Sequence, residues 1–329
     1  MQPFSFTQAT TAEAAIEAVS GHTGASFFAG GTTLIDLMKL NVVAPARLVD
    51  INHLPLAEIV VTEDKITVGA NVRNSDLAHH PAVRAQFPVL SEALLAGASA
   101  QLRNMATTGG NLLQRTRCSY FRDPAAQCNK RNPGSGCDAI PGVNSAHAIL
   151  GTSEHCIATH PSDLCVALIM LDASIQTLLP NSETRILPIA GFHLLPGATP
   201  HLETVLQHGE LITHIHLPVT PLARHSHYLK VRDRASYEFA LASAAVALST
   251  HKGFITDARV AFGGIATRPW RSPEAEAALV NQPASRATFL TAANAAVAAA
   301  QPQSHNAFKI DLARQTLVLA LEHLTKGGN

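Results

Sequence analysis

The chain is short of charge. Acidic and basic residues make up only 15% of its 329 positions, and they cancel, 24 against 24. Such a chain has neither a basic stripe for a phosphate backbone nor a footprint for an anionic membrane, which argues against nucleic acid as a partner. Sparse charge does suit a surface hidden in a permanent complex, because obligate interfaces are depleted in charged residues. Long apolar runs are also missing. The richest stretch, Cys165 to Ala173, is too short to span a bilayer, so no membrane insertion is expected. The opening residues Met1-Gln2-Pro3-Phe4-Ser5-Phe6 have no basic segment followed by an apolar one, so no signal peptide is expected there. The glycine pattern of a Rossmann turn and the lysine-bearing Walker loop are absent, which removes support for the usual nicotinamide or ATP site. No nucleophile–base pair and no metal-hydrolase motif stands out.

What is present is enough for a sizeable core. Hydrophobic residues reach 47%, and the length calls for two or three folding units. Seventeen histidines are scattered and read as surface or satisfied core residues. Thr10-Thr11-Ala12-Glu13 has capping-box spacing before a helix over Ala14 to Val19. Ser26 to Ala29 reads as a short buried strand running into Gly30-Gly31-Thr32-Thr33 and a helix from Leu34 to Leu40. Arg47 to Ile51 is a further strand. Glu58 to Thr62 and Lys65 to Gly69 pattern as a hairpin, and Asn74 to His80 and Ala82 to Leu95 as helices. After Pro161-Ser162-Asp163 a helix covers Leu164 to Leu171, and Ser174 to Leu179 and Glu183 to Leu187 pair as strands. Residues 199–209 read as a linker. Beyond it, Leu211 to Leu217, Tyr228 to Val231, Ala242 to Thr250 and Ile255 to Phe262 read as strands, the last two joined at Lys252-Gly253. Residues 273–325 form an Ala-rich helical tail. The fold class is therefore α+β, a two-lobed N-terminal half followed by a sheet-plus-helices domain. The units are 1–60, 61–209 with a loop at 114–160, and 210–329.

Three features carry chemistry. The loop Ala29-Gly30-Gly31-Thr32-Thr33 exposes successive backbone amides, which attract phosphate, although a Gly-Gly pair alone is more often a tight turn. The second loop, Thr107-Thr108-Gly109-Gly110-Asn111, offers hydroxyls, a pliable backbone and an amide. The third is a run of thiols spaced Cys118-x9-Cys128-x8-Cys137-x18-Cys156 within the unpatterned stretch from Gln114 to His160. Zinc sites show at least one close cysteine pair, and this set has none. Wide spacing suits a bulkier object such as a [4Fe–4S] cluster, while disulfides and unpaired thiols stay open at this point, with zinc behind them. Arg115, Arg117, Arg122, Lys130 and Arg131 surround the first two cysteines, either to offset thiolate charge or as a solvated face. Cys165 sits in an apolar helix pattern and reads as a core thiol.

The combination and order of these motifs resembles the FAD-binding medium subunit of the molybdenum hydroxylases, the xanthine dehydrogenase and carbon monoxide dehydrogenase group. The resemblance runs along essentially the whole chain. It includes Phe28-Ala29-Gly30-Gly31-Thr32-Thr33-Leu34, Thr107-Thr108-Gly109-Gly110-Asn111-Leu112, His160-Pro161-Ser162-Asp163-Leu164, and Gly209-Glu210-Leu211-Ile212. It continues through Lys230-Val231-Arg232, Tyr237-Glu238-Phe239-Ala240 and Gly263-Gly264-Ile265-Ala266-Thr267. The cysteine insert is similar to that of a narrower subgroup, the FAD subunits of periplasmic aldehyde oxidoreductases that carry a [4Fe–4S] cluster.

The resemblance implies a two-lobed FAD-binding domain of the vanillyl-alcohol-oxidase-like type with a CO dehydrogenase flavoprotein C-terminal domain. By resemblance, Phe28, Ala29, Gly30, Gly31, Thr32, Thr33 and Leu34 would hold the FAD pyrophosphate and its neighbours. Thr107, Thr108, Gly109, Gly110 and Asn111 would line the phosphate and flavin end. Asp163 would hydrogen-bond a cofactor hydroxyl or ring edge, Ile212 would pack on the isoalloxazine, and Lys230 would lie near the flavin. Cys118, Cys128, Cys137 and Cys156 would bind the cluster. Many relatives carry Asp or Ser where this chain has Thr33, whose hydroxyl can still serve a phosphate. The family further implies a heterotrimer that oxidises an aldehyde. Its large subunit carries the molybdenum cofactor, its small subunit carries two [2Fe–2S] clusters, and an external electron acceptor takes the electrons. Export to the periplasm would follow a signal-bearing partner, the alternative being the cytoplasm. A xanthine dehydrogenase or 4-hydroxybenzoyl-CoA reductase subunit, a stand-alone flavin oxidase and a zinc- or disulfide-stapled assembly protein are the rival readings.

Overall fold

Three separate sheets organise the chain in this computed structural model, which describes residues 1–326. The first is parallel: β1 (Ser5–Gln8), β2 (Ala25–Phe28) and β3 (Arg47–Asp50), with β3 in the middle. The helix Ala12–Ser20 packs on it through Ala15, Ile16 and Val19. Its N-cap is Thr11, whose hydroxyl accepts from the Ala14 amide at 3.1 Å. Glu13 therefore falls one position short of the reciprocal place that the capping-box spacing from Thr10 had offered.

The second sheet is antiparallel, in the order β4-β5-β8-β6-β7. Its strands are β4 (Ile59–Val61), β5 (Lys65–Gly69), β6 (Ser174–Leu178), β7 (Thr184–Pro188) and β8 (Leu211–Pro218). β8 lies at its centre, between β5 and β6. The boundary expected at 209/210 is thus displaced. Residues 211–218 complete the second lobe, and the change of unit falls between 218 and 226. The expected boundary at 60/61 likewise cuts β4. Sequence pattern identifies a strand but not its partner, and β8 pairs with a strand far upstream. The helix expected over 82–95 is two, Pro81–Gln86 and Pro88–Ala96. Pro88 has no N–H to continue a helix and keeps Phe87 out of the α region.

The third sheet is antiparallel, ordered β12-β11-β10-β9, from β9 (Ser226–Val231), β10 (Ala242–His251), β11 (Phe254–Gly263) and β12 (Trp270–Arg271). Lys252 and Gly253 turn β10 into β11 with φ of 50° and 80°, as a primed two-residue hairpin turn requires. The small residues of β10 split by parity. Ala244, Val246 and Leu248 join the core under the helices Pro273–Leu279, Arg286–Val297 and Phe308–Lys326. Ala245 and Ala247 join the core of the second lobe. There they meet the helix Asp163–Met170, every residue of which is buried. Burying one aliphatic side chain is worth about 1.5–3 kcal/mol, so this helix is the bolt between the second lobe and the C-terminal domain.

Candidate functional site

Two cavities meet at Thr32, Thr33 and Gly110. The smaller, about 250 Å³, lies between the first sheet and β8 and has apolar walls from Phe27, Leu37, Val43 and Leu211. It is also lined by Ala29, Gly30, Gly31, Leu34, Thr107, Gly109 and Ile212. The larger, about 560 Å³, runs toward the C-terminal domain and is lined by Asn111, Asp163 and Lys230, with Arg103, Arg117 and Arg234. Together they offer a long, jointed cleft for a ligand with one apolar and one polar half. Phe28 and Thr108 line neither cavity. Phe28 makes an edge-on contact with Phe6 at 5.7 Å, and the Thr108 hydroxyl donates to the Val72 carbonyl at 2.9 Å. Ile212 and Lys230, both expected at the flavin, line different cavities.

The two glycine loops differ in what they leave free. In the second loop the Thr108 and Gly109 amides donate to Val72 and Ala70, the Gly110 amide to the Thr107 hydroxyl, and the Asn111 amide to Thr107. Its backbone is used up in holding itself against β5 and the turn that follows. The first loop is the reverse. Among the described residues, the amides of Gly30, Gly31, Thr32, Thr33 and Leu34 have no protein acceptor, nor do the Thr32 and Thr33 hydroxyls have a partner. Backbone donors that face a cleft and lack partners are what an anionic group requires. The glycines themselves answer to the fold. A Cβ on Gly30 would sit 2.1 Å from the Met105 carbonyl oxygen. Gly31 has φ +70°, where L side chains are strained. Gly30 thus lets the first lobe touch the second, rather than letting backbone approach a ligand.

Asp163 begins its helix one residue after Ser162, whose hydroxyl caps it by accepting from the Cys165 amide at 3.1 Å. Its carboxylate accepts from Lys230 Nζ at 2.8 Å and from the Tyr228 hydroxyl at 2.5 Å. All three side chains are buried. Burial, and then the Asp163 charge, push the Tyr228 phenol well above its usual range, so it stays a donor. Asn111 Oδ1 accepts from Ser162 Oγ at 2.7 Å and from Gln114 Nε2 at 2.5 Å, tying the second glycine loop to the same helix.

The loop 114–160 is ordered and held by its basic residues. Arg122 makes a bidentate pair with Asp36 at 2.8 and 3.0 Å, which holds the Asp36 carboxyl below its ordinary range. Arg115 and Lys130 both pair with Glu203, at 2.5 and 3.4 Å. Arg131 donates to the Tyr120 and Phe121 carbonyls, and Arg117 to the Arg115 carbonyl. Arg122 fastens the loop to the first lobe, Arg115 and Lys130 fasten it to Glu203 of the second, and Arg117 and Arg131 brace it from within, so the solvated-face reading falls.

None of the five cysteines is disulfide-bonded. Cys128 and Cys137 face each other across an antiparallel bridge, and Cys156 lies in a turn with Ser153. The thiols sense one another. Cys118 feels Cys128 and Cys156, and Cys137 feels Cys128; burial, the larger effect, pushes the Cys118 thiol up to about 12 and raises Cys137 and Cys156. The amides of Phe121 and Tyr120 are directed at the Cys118 sulfur, those of Ala139, Ile140 and Ile157 at Cys137, and that of Ala158 at Cys156. Thiol burial beside inward-pointing amides is an environment for ligated thiolates. Tetrahedral zinc holds sulfurs about 3.8 Å apart. The four cysteine sulfurs form no group within 4.8 Å of one another, so they do not make a preformed single-ion site. His147, which no sequence signal marked, approaches Cys118 Sγ through Nε2 at 3.1 Å. Burial pulls it down to about 4, so it is neutral at pH 7.

Cys165 is fully buried in the core, near His160 and His193. That trio does not form a good ion site. His160 Nδ1 accepts from the Ser162 amide, so the neutral ring carries its proton on Nε2, the nitrogen left facing inward.

Residues 2–220 match the family described as the FAD binding domain in molybdopterin dehydrogenase, and residues 227–324 the CO dehydrogenase flavoprotein C-terminal domain. The chain is 50% identical, over 98% of its length and 98% of the other's, to the aldehyde oxidoreductase FAD-binding subunit PaoB of Escherichia coli K12. It is 28% identical to the glyceraldehyde dehydrogenase medium chain of Sulfolobus acidocaldarius, over 83% of this chain and 79% of that one. Among solved structures, quinoline 2-oxidoreductase from Pseudomonas putida 86 superposes with a TM-score of 0.77 over 99% of this chain and 98% of the other at 23% identity, which speaks for the fold. The cleft with its free amide row and the two matched domains make one conclusion: this chain belongs to the FAD-binding subunits of the molybdenum hydroxylases, and is an oxidoreductase subunit.

Proposed function

We propose that the chain is the FAD- and [4Fe–4S]-carrying electron-transfer subunit of a molybdenum-dependent aldehyde oxidoreductase. Its partners are a large subunit with the molybdenum cofactor and a small subunit with two [2Fe–2S] clusters, and an external acceptor takes the electrons. The observation that carries this reading is the row of unpartnered amides from Gly30 to Leu34 at the joint of the two cavities. The likeness to the E. coli FAD subunit, named for an aldehyde oxidoreductase, supports the substrate class and a place in a multi-subunit assembly.

The residues divide the work. The amides of Gly30 to Leu34 and the Thr32 and Thr33 hydroxyls bind the pyrophosphate. Ile212 and the apolar walls around it exclude water from one end of the cofactor. Asn111, Asp163 and Lys230 orient the other end by hydrogen bonds. When bound, FAD supplies the step between one-electron and two-electron carriers; the protein positions and tunes it. Lys230 keeps a positive charge beside that end, where a cation favours a reduced, anionic ring. Cys118, Cys128, Cys137 and Cys156 would hold the cluster, with the inward amides and His147 donating to sulfur. Residence in the periplasm, by travel with a signal-bearing partner, is part of the proposal.

The test is to purify the chain with the subunits that accompany it, count flavin, iron and sulfide, and follow aldehyde oxidation with an artificial acceptor. Flavin with iron on this chain and aldehyde-dependent reduction are expected. Yellow protein without iron removes the cluster, and flavin that aldehydes fail to reduce removes the substrate class. Fractionation of cells places the complex.

A further inference from the structure

Tyr228 lies behind the wall of the cleft and lines neither cavity. Its hydroxyl donates to Asp163 Oδ1 at 2.5 Å and has the Ser243 hydroxyl beside it. Lys230 holds the other carboxylate oxygen, Oδ2, at 2.8 Å and gives a second N–H to the Ala96 carbonyl at 3.1 Å. An ammonium has three N–H groups, so one remains for the cavity that Lys230 lines. The direction of that third N–H depends on where the carboxylate stands. A carboxylate held at one oxygen turns easily about its last torsion, which is broad; held at both, it has a single orientation. Tyr228 and Lys230 alternate with Leu229 on β9, so both side chains leave the same face of one rigid strand.

We propose that Tyr228 is a positioning residue for the flavin: by holding Asp163 Oδ1 it fixes the Asp163–Lys230 pair, so that the free Lys230 N–H faces the cofactor. This deepens the flavin reading and rests on it. The hydroxyl also draws charge from the carboxylate. Without it, Asp163 carries its full negative charge into the cleft and offsets more of Lys230's attraction for an anionic reduced ring. Tyr228→Phe removes one oxygen and keeps the packed ring, so the fold has little reason to fail.

The experiment measures the midpoint potential of FAD in the full chain, purified with its accompanying subunits, for wild type, Tyr228→Phe, Asp163→Asn and the double variant. For Tyr228→Phe, affinity for reduced relative to oxidised flavin should fall about tenfold, which is about 30 mV downward for a two-electron couple. In the Asp163→Asn background the same change should do nothing further, because Tyr228 acts through Asp163. An unchanged or raised potential at full flavin occupancy, or additive shifts, overturns the inference. If Tyr228→Phe sheds flavin, the same cycle is read on the FAD dissociation constant, where additivity overturns the inference and non-additivity supports it. A wild-type chain that binds no FAD overturns the flavin reading and this inference together. FAD in the wild type beside an unaltered Tyr228→Phe overturns this inference alone.

Discussion

Gly30 is the point where the first lobe meets the second, with no room for even one methyl group between it and Met105. Gly30→Ala should cost about 1–3 kcal/mol, the usual penalty for overpacking. It should also lower bound flavin, since the displaced loop carries the free amides; denaturant unfolding and the flavin-to-protein ratio check both. Lys309 is a second single residue with wide reach. Fully buried, its ammonium donates to the carbonyls of Ala146 in the cysteine loop and Gly264, just past the end of β11. Burial pulls it down to about 8 from an ordinary 10.5. Between those values the unfolded chain keeps a proton that the folded chain has released, so this group makes stability rise with pH. Relative to Lys309→Met, the wild type should therefore gain stability from pH 8 to 10.5, read as the difference in urea midpoints; a flat difference contradicts the assignment.

At the level of elements, the cysteine loop is fastened in several places, and each fastening makes a prediction. The Arg122–Asp36 pair joins it to the helix that follows the first glycine loop. Asp36 has a lowered folded value, so the contribution of this pair is present above the unfolded value near 3.8 and is lost as pH falls through the folded one. The melting difference between wild type and Asp36→Asn should accordingly be constant near neutrality and close in acid. Within the loop, Cys156→Ala should lower iron content sharply. Cys165→Ala should leave iron unchanged and cost about 1–2 kcal/mol as a small core truncation; iron analysis beside thermal melts separates the two. Sequence made these elements legible wherever a residue's backbone demand was local. Ser162 caps its helix and Lys252-Gly253 turns its hairpin where the sequence placed them, while the first helix takes Thr11 and not Thr10 as its cap. It was silent where partners are distant. Nothing local says that β8 enters the second sheet, that Glu203 collects Arg115 and Lys130, that His147 reaches Cys118, or that Tyr228 holds Asp163. Those are the pairings that set the boundary near 220 and build the site.

For the whole molecule, three sheets leave a cleft at the meeting of the first lobe, the second lobe and the C-terminal domain, and all three line it. Chemistry in this chain consists of holding a carrier between them. The central claim is that this cleft holds FAD, and the absorption spectrum of the full chain purified in complex, with flavin released and counted, tests it most directly. About one FAD per chain is expected, with less bound in Gly30→Ala, whose clash with Met105 displaces the amide row. Colourless protein, or flavin bound equally well by Gly30→Ala, would contradict the account.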